Sequence, residues 1–239
     1  MRISCFNFKG GTAKSTTVLN LGACLADRGL SVLAIDLDGQ RTLSFGLGVD
    51  GVEPTSLDWL QGRDSEPIAT PTKNLSVLPG SINMFRLQAE EDLFQPALKK
   101  FDKTTTVMMD CPPGLGIASV QSILNSDRVL VPTLCEPAAL KGLNEAIALI
   151  RGENPNIAID VLRVRYRPRL VLTREADDLL IEGAEDYNYR LLHTVIPENI
   201  NVAESIAQQQ PVTTYAPKSA GAAAYKSLAK EVMKIWGLK

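Results

Sequence analysis

The stretch Lys9-Gly10-Gly11-Thr12-Ala13-Lys14-Ser15-Thr16 decides the fold of this chain. It follows the apolar-rich run 2–8 and opens a helical pattern, so the local order is strand, glycine turn and helix. Such a turn points successive backbone N–H groups and the positive end of a helix dipole at one spot. Because Lys14 adds a full positive charge there, the stretch predicts a phosphate site, with the Ser15 hydroxyl placed to reach a magnesium ion.

The strict phosphate-loop pattern, which is glycine, four residues and then Gly-Lys-Ser/Thr, is absent. Phe8 stands at its first glycine position and Ala13 at its second. The pattern present is Lys-Gly-Gly-x-x-Lys-Ser/Thr, which carries a second lysine, Lys9, at the start of the loop. An ordinary glycine turn before a core helix is the alternative interpretation, and the two lysines in this spacing argue against it.

Three aspartates follow predicted strands. Asp36 and Asp38 come directly after the buried-strand pattern 31–35, and Asp110 ends the β-branched and apolar run 104–109. Because the carboxyl ends of parallel strands meet at one edge of a sheet, we expect all three beside the loop. Carboxylates placed there can hold the water shell of a metal and orient an attacking water. A solvated acidic turn is the alternative for the first pair.

Length and composition bound the class of protein. The 239 residues fit one α/β domain, so we expect a single domain over 1–239. The net charge of −2 excludes a wholly basic protein, so any nucleic-acid binding needs a local patch. The chain shows no secretory signal pattern and no apolar run near the roughly 18 residues of a membrane span, so we expect a cytoplasmic protein.

The four cysteines, Cys5, Cys24, Cys111 and Cys135, are widely spaced and form no Cys-x-x-Cys pair. This spacing argues against a disulfide framework in a chain of this length. Cysteine otherwise behaves as a small apolar residue, so we expect buried thiols.

The motifs together resemble those of the ParA/MinD superfamily of partition and positioning ATPases. The lysine-flanked loop is similar to its deviant Walker A box, where glycine is usual at Ala13. The segment 36–40 resembles its Asp-x-Asp-Pro-Gln switch with Gly39 in place of proline, and the strand before Asp110 looks like its Walker B strand. Residues 194–225 resemble the C-terminal signature of ParA proteins, with Glu198 where arginine is usual. The similarity is to the small type of ParA, which lacks an N-terminal helix-turn-helix domain.

The resemblance implies an α/β fold with a doubly wound, mostly parallel sheet and helices on both faces. It implies that Lys14 binds the β and γ phosphates, that Lys9 reaches across a dimer to the partner's ATP, and that Asp38 orients the attacking water. The catalytic residues implied are Lys9, Lys14 and Asp38; the nucleotide-binding residues are Lys9, Gly10, Gly11, Thr12, Ala13, Lys14, Ser15, Thr16, Arg174 and Pro197; the magnesium residues are Ser15, Asp36 and Asp110.

The function implied is that of an ATPase using ATP and Mg²⁺, weak without a partner. ATP drives a homodimer that binds DNA non-specifically, and a ParB-like or cargo adaptor protein stimulates hydrolysis and release, which implies a nucleoid-associated protein. One alternative is a MinD-like membrane-associated ATPase, which is disfavoured because no segment follows the last predicted helix, 219–236. A second is an iron–sulfur ATPase of the nitrogenase iron-protein type, for which Cys111 is the residue to compare.

Basic residues recur in two places. In the predicted strand 161–173, every second residue from 163 to 169 is an arginine, so an extended conformation would put these four arginines on one face. Such a face could bind phosphates or guard a sheet edge, and both interpretations remain open. Residues 170–174 resemble the family strand that leads to the adenine pocket. The candidate DNA-binding residues are Arg163, Arg165, Arg167, Arg169, Lys218, Lys226 and Lys230, the last two on a helix whose lysines could also be merely solvated.

Overall fold

A computed structural model describes all residues from 1 to 239. Its centre is one eight-stranded sheet in the order β3-β4-β2-β5-β1-β6-β7-β8, parallel throughout except for the short antiparallel strand β3. The strands are β1 (Arg2–Cys5), β2 (Val32–Asp36), β3 (Ile68–Ala69), β4 (Leu75–Leu78), β5 (Thr106–Asp110), β6 (Arg128–Leu134), β7 (Ala158–Tyr166) and β8 (Arg190–Pro197).

Ten α-helices and one 3₁₀ turn (Ile82–Arg86) surround the sheet. The helices are α1 (Lys14–Ala26), α2 (Thr42–Gly46), α3 (Ser56–Leu60), α4 (Phe94–Leu98), α5 (Ile117–Leu124), α6 (Pro137–Glu153), α7 (Val171–Asp186), α8 (Ile200–Ala207), α9 (Val212–Tyr215) and α10 (Ala220–Trp236). None of them is long and apolar enough to cross a bilayer.

Alternate residues of each central strand belong to different hydrophobic clusters, which shows that both faces of the sheet are covered. Met108 of β5 packs in the cluster that contains α1 and α10, whereas Val107 and Met109 pack in the one that contains α3 and α4. Likewise, Leu130 of β6 faces α1 and α10, and its neighbours in the strand face α6 and α7. A period of two is the signature of a strand buried on both sides, and the expected doubly wound fold is confirmed.

A buried charge cluster fixes the last helix to the sheet. Asp160 of β7 is 1% exposed and accepts a hydrogen bond of 2.8 Å from the indole N–H of Trp236. The Arg128 guanidinium pairs with the same carboxylate and lies 5.4 Å from the centre of the Trp236 ring. The C-terminal end of α10 is therefore held by a carboxylate with several donors, not by apolar contact alone.

The structure corrects two expectations for residues 161–174. Strand β7 ends at Tyr166, and residues 171–174 begin helix α7 where we expected a strand. In addition, β7 lies between β6 and β8, so its arginines do not guard a sheet edge. The edge strand on this side of the sheet is β8, where the Glu231 carboxylate of α10 accepts the backbone N–H groups of His193 and Thr194.

Candidate active site

The loop between β1 and α1 has the backbone form that an anion site needs. Gly11 has φ 74°, and Ala13 has φ 62° and ψ 32°, so both are left-handed. The Asn7 side chain holds the loop, because it accepts the Lys9 N–H at 3.0 Å and donates to the Pro132 carbonyl at 2.8 Å. No side chain caps α1, so its first N–H groups remain available to an anion.

The two lysines of the loop have different surroundings. Lys14 is buried, and its Nζ donates to the Lys9 carbonyl oxygen at 3.3 Å, so its charge lies inside the loop. Lys9 is exposed and runs beside Gly142 of α6, where an added Cβ would lie 4.0 Å from the Lys9 side chain. Lys14 is thus placed for a phosphate bound to its own subunit, while Lys9 is directed to the surface.

Asp36 and Asp110 are paired positions on the neighbouring strands β2 and β5, and both are fully buried. Asp36 accepts hydrogen bonds from the Ser44 N–H at 2.9 Å, the Ser44 hydroxyl at 2.6 Å and the Asp38 N–H at 3.1 Å. Burial nevertheless raises the pKa of Asp36 to about 6, because desolvation outweighs these three donors.

Asp110 lacks such partners. Neither of its buried carboxylate oxygens has a hydrogen bond of good geometry. Burial, and then the negative charge of Asp36, raise the pKa of Asp110 well above its usual range, while Ser15 and Lys14 oppose the shift. A buried carboxylate without donors is costly unless a cation or the water shell of a cation comes to it.

The residues fit a magnesium ion bound together with phosphates. The structure contains no group of three or more His, Cys, Asp or Glu residues that could cage a metal. Mg²⁺ does not need one, because it commonly keeps several waters and takes one or two protein ligands beside the phosphates of its substrate. Ser15 and Asp110 fit that role, whereas the oxygens of Asp36 already accept Ser44 and Asp38.

A cavity of about 910 Å³ joins the loop to the C-terminal signature. Asp38 and Pro197 line it, as do residues 10–16, and the Asp38 carboxylate accepts the Gln40 N–H at 2.9 Å across Gly39. Arg174 does not line it, because it lies on the exposed side of α7 and not at the end of a strand. The sequence motifs did not assign Val164, Arg165, Asn199, Ile200, Val202, Ala203 and Tyr225 to this cavity, although several of them lie within the C-terminal signature.

The four arginines do not form one basic face. Arg163 is buried, pairs with Asp177 at 2.7 Å and donates to the Leu192 carbonyl at 2.6 Å. Arg165 and Arg167 both pair with Glu198, and Arg169 is exposed in the loop after β7. The alternation fails because the pairing of β7 with β8 shifts register on both sides of Arg163, and because Arg165 has φ 50°.

The lysines of the last helix are exposed, as expected. Lys226 and Lys230 lie four residues apart on α10, and Lys218 precedes that helix. A further basic residue, Arg28, lies beside these lysines just after the end of α1. Its guanidinium donates a hydrogen bond to the Lys226 carbonyl at 3.3 Å, and no sequence motif indicated this contact. The apolar face of α10 is buried in the core and is not free to enter a bilayer.

All four cysteines are buried and free. The Cys111 thiol contacts the Ser122 hydroxyl at 3.0 Å, and burial raises its pKa to about 12. These cysteines also do not belong to any group of three or more His, Cys, Asp or Glu residues that could hold a metal.

Comparison with known proteins agrees with this geometry. The AAA domain family matches residues 1–159. The chromosome-partitioning ATPase Soj of Thermus thermophilus is 32% identical over 240 residues, which cover 97% of this chain and 95% of Soj. This chain belongs to the ParA family of ATPases.

Two groups of solved structures show what such proteins bind. The septum site-determining protein MinD of Pyrococcus horikoshii, complexed with Mg-ADP, has a TM-score of 0.82 and 30% identity, and the match covers 98% of this chain and 96% of MinD. Cobyrinic acid a,c-diamide synthase of Mycobacterium smegmatis, with an ATP analogue and magnesium, has a TM-score of 0.79 and 28% identity over 99% and 96% of the two chains. This ParA-family protein is an ATPase that uses ATP and Mg²⁺.

Proposed function

We propose that this ParA-family ATPase positions a DNA molecule or another cargo by binding DNA in its ATP state and leaving it after hydrolysis. The observation that carries the proposal is that Lys14 and Asp38 line one cavity, while the buried carboxylate of Asp110 lies beside Lys14 and Ser15 of the same loop. This arrangement supplies a phosphate site, a magnesium site beside it and a carboxylate that can orient a water molecule.

In the proposed mechanism, Lys14 and the N–H groups of residues 10–16 hold the β and γ phosphates. Ser15 and Asp110 would hold magnesium, which would neutralise charge at the phosphates. Asp36 supports this arrangement by orienting the backbone of Asp38 and the α2 hydroxyl of Ser44. The Asp38 carboxylate then orients the attacking water, and its own position is held by the Gln40 N–H.

Lys9 acts between two copies of the chain in this proposal. Its side chain is exposed beside α6, whereas Lys14 is inside the loop, so only Lys9 can meet a phosphate held by another molecule. A lysine that arrives from a second subunit neutralises charge as it develops, as an arginine finger does. A homodimer formed with ATP is therefore the proposed active form.

The proposed DNA-binding surface is the basic stripe of α10, which consists of Lys226, Lys230 and Lys234 together with Arg28. These side chains are exposed on one side of a helix whose other side is buried, so they can contact successive phosphates. Arg165 and Arg167 contribute less, because Glu198 neutralises both. A partner protein of the ParB or cargo-adaptor kind is proposed to stimulate hydrolysis and release.

Association with a membrane is the second candidate function, supported by the structural likeness to MinD proteins. The burial of the apolar face of α10 argues against it, because the helix then offers a bilayer only its lysines. Attraction of lysines to anionic lipid is the remaining route, and it disappears on neutral vesicles.

The test is DNA binding by gel shift at fixed low salt with no nucleotide, ADP or ATP, beside co-sedimentation with anionic and neutral vesicles. We expect binding to DNA with ATP only, and a loss of affinity in the Lys226→Ala/Lys230→Ala variant. The Lys99→Ala/Lys100→Ala variant removes the same charge from an exposed site near α4 and should bind normally. Equal losses in both variants, or binding to vesicles alone, would refute the proposed DNA surface.

The site is tested by hydrolysis and nucleotide binding. Lys14→Ala should abolish nucleotide binding, because it removes the only buried cation of the loop. Asp38→Ala should retain ATP binding and dimer formation but stop turnover. Undiminished hydrolysis by Asp38→Ala would reject its role with water.

A further inference from the structure

The aromatic ring of Phe85 covers the backbone of the turn formed by Asp38, Gly39 and Gln40. A Cβ placed on Gly39 would lie 2.5, 2.6 and 2.8 Å from three ring carbons of Phe85. Separations this short mean that the Phe85 ring rests directly on the Gly39 backbone, with no space for a side chain between them. Gly39 is the residue that separates Asp38 from Gln40.

The 3₁₀ turn that carries Phe85 is itself fixed to the protein. Phe85 belongs to the 3₁₀ turn Ile82–Arg86, which is capped by the Ser81 hydroxyl at the Asn83 N–H, 3.3 Å away. Met84 of the same turn is buried in the hydrophobic cluster that also contains Leu37, one residue before Asp38. Thus the turn that carries the ring and the strand end that carries Asp38 share one core.

Burial does not explain the place of the ring. Phe85 is 58% exposed, so it lies on the surface of the molecule and gains only part of the free energy that a buried phenylalanine would provide. What the ring does contact is Gly39, the one glycine of the Asp38-Gly39-Gln40 turn. Glycine leaves the backbone of the turn free to rotate, and an apposed ring removes part of that freedom.

We propose that Phe85 is a positioning residue for ATP hydrolysis, because its ring holds the Asp38-Gly39-Gln40 turn in the form that keeps Asp38 in the cavity. The Asp38 carboxylate accepts the Gln40 N–H at 2.9 Å across Gly39, so rotation at Gly39 breaks this bond and turns the carboxylate away. The inference rests on the proposed role of Asp38 as the residue that orients water.

The test compares Phe85→Ala with Phe85→Tyr in steady-state hydrolysis of Mg·ATP by the full chain. Phe85→Ala should lower kcat about tenfold and leave KM within about twofold, because a displaced water-orienting group affects the chemical step and not nucleotide binding. Phe85→Tyr keeps the ring and should hydrolyse as the wild type does. Ile82→Ala, an exposed apolar residue of the same 3₁₀ turn, is the matched control and should also leave kcat unchanged.

A second pair of variants tests the contact itself. Gly39→Ala should lower kcat because its Cβ collides with the ring, and the double variant Gly39→Ala/Phe85→Ala should be faster than Gly39→Ala, because the collision is removed. Unchanged kcat in Phe85→Ala, equal losses in Phe85→Ala and Phe85→Tyr, or additive losses in the double variant would overturn the proposal. Asp38→Ala measured beside them separates the two ideas, since active Asp38→Ala rejects the role of Asp38 itself.

Discussion

The buried pair Asp36 and Asp110 should make the ligand-free protein less stable as pH rises from 5 to 7. The pKa of Asp36 is raised from its ordinary 3.8 to about 6, so the folded state binds this proton more tightly than the unfolded chain does. Stability from such a group is fully present below the unfolded pKa and is lost as pH rises through the folded pKa. Asp110 contributes with the same sign, because its pKa is also raised.

The magnitude follows from the Asp36 value. A shift of about two pKa units corresponds to about 3 kcal/mol when the carboxylate is fully ionised, and about 1–2 kcal/mol of this is lost between pH 5 and 7. Acids whose partners stabilise the anion, such as Glu231 and Asp58, have lowered pKa values. Their contribution to the free energy of unfolding therefore changes below pH 5. The window from 5 to 7 therefore separates the buried pair from them.

The assay is urea unfolding followed by tryptophan fluorescence, with EDTA and without nucleotide. Asp110→Asn is the informative variant, because it removes an ionisable group from the buried pair and Asp110 has no hydrogen bond of good geometry to lose. It should be more stable than the wild type at pH 7 and should lose less stability between pH 5 and 7. A wild type whose stability is constant or rises over this range, or a destabilised Asp110→Asn at pH 7, would refute the reasoning.

Three further outcomes are expected. Excess Mg²⁺ and ADP should raise the melting temperature of the wild type more at pH 7 than at pH 5, because Asp110 binds magnesium as an ionised carboxylate. The rise should be smaller for Asp110→Asn, and thermal melts of both proteins at the two pH values measure it. Glu198→Gln frees Arg165 and Arg167 and should steepen the salt dependence of DNA affinity by up to about two units of slope, measured by titration at several salt concentrations. Asp160→Ala should lower the free energy of unfolding by about 3 kcal/mol, because it leaves the partly buried Arg128 without its partner. Glu145→Ala, in an exposed pair, should cost about 0.5 kcal/mol or less, and denaturant titration measures both changes.

The phosphate loop and the strand-end aspartates could be predicted because their chemistry is local. Lys14 and Ser15 follow a strand and open a helix, and the order of elements along the chain brings Asp36 and Asp110 to adjacent strand ends. Parallel strands place their carboxyl ends on one edge whatever the details of packing, so these contacts needed no knowledge of distant partners.

The arginine run was misread because its partners are distant in sequence. A period of two fits an extended strand, but it does not reveal that Arg163 meets Asp177 of the next helix or that Glu198 lies beside Arg165. Two of the four residues 171–174, Val171 and Thr173, have β-branched side chains, which favour a strand locally. Helix α7 forms there because Thr173, Ala176 and Leu180 give its buried face, a pattern that only appears over the longer segment.

The three departures from the ParA-family motifs differ in what compensates them. Ala13 takes the left-handed conformation of the usual glycine, and Gly39 is covered by the Phe85 ring, so the loop and the switch keep their shape with different residues. Glu198, in contrast, takes the place of the usual arginine and also pairs with Arg165 and Arg167. It therefore lowers the positive charge of this surface, and no other residue compensates for the change. A turn depends on backbone geometry, which another side chain can support from a distance, whereas a binding surface is altered directly by charge. The DNA surface is therefore where we expect this protein to differ most from its relatives, with the lysines of α10 carrying the larger share of binding.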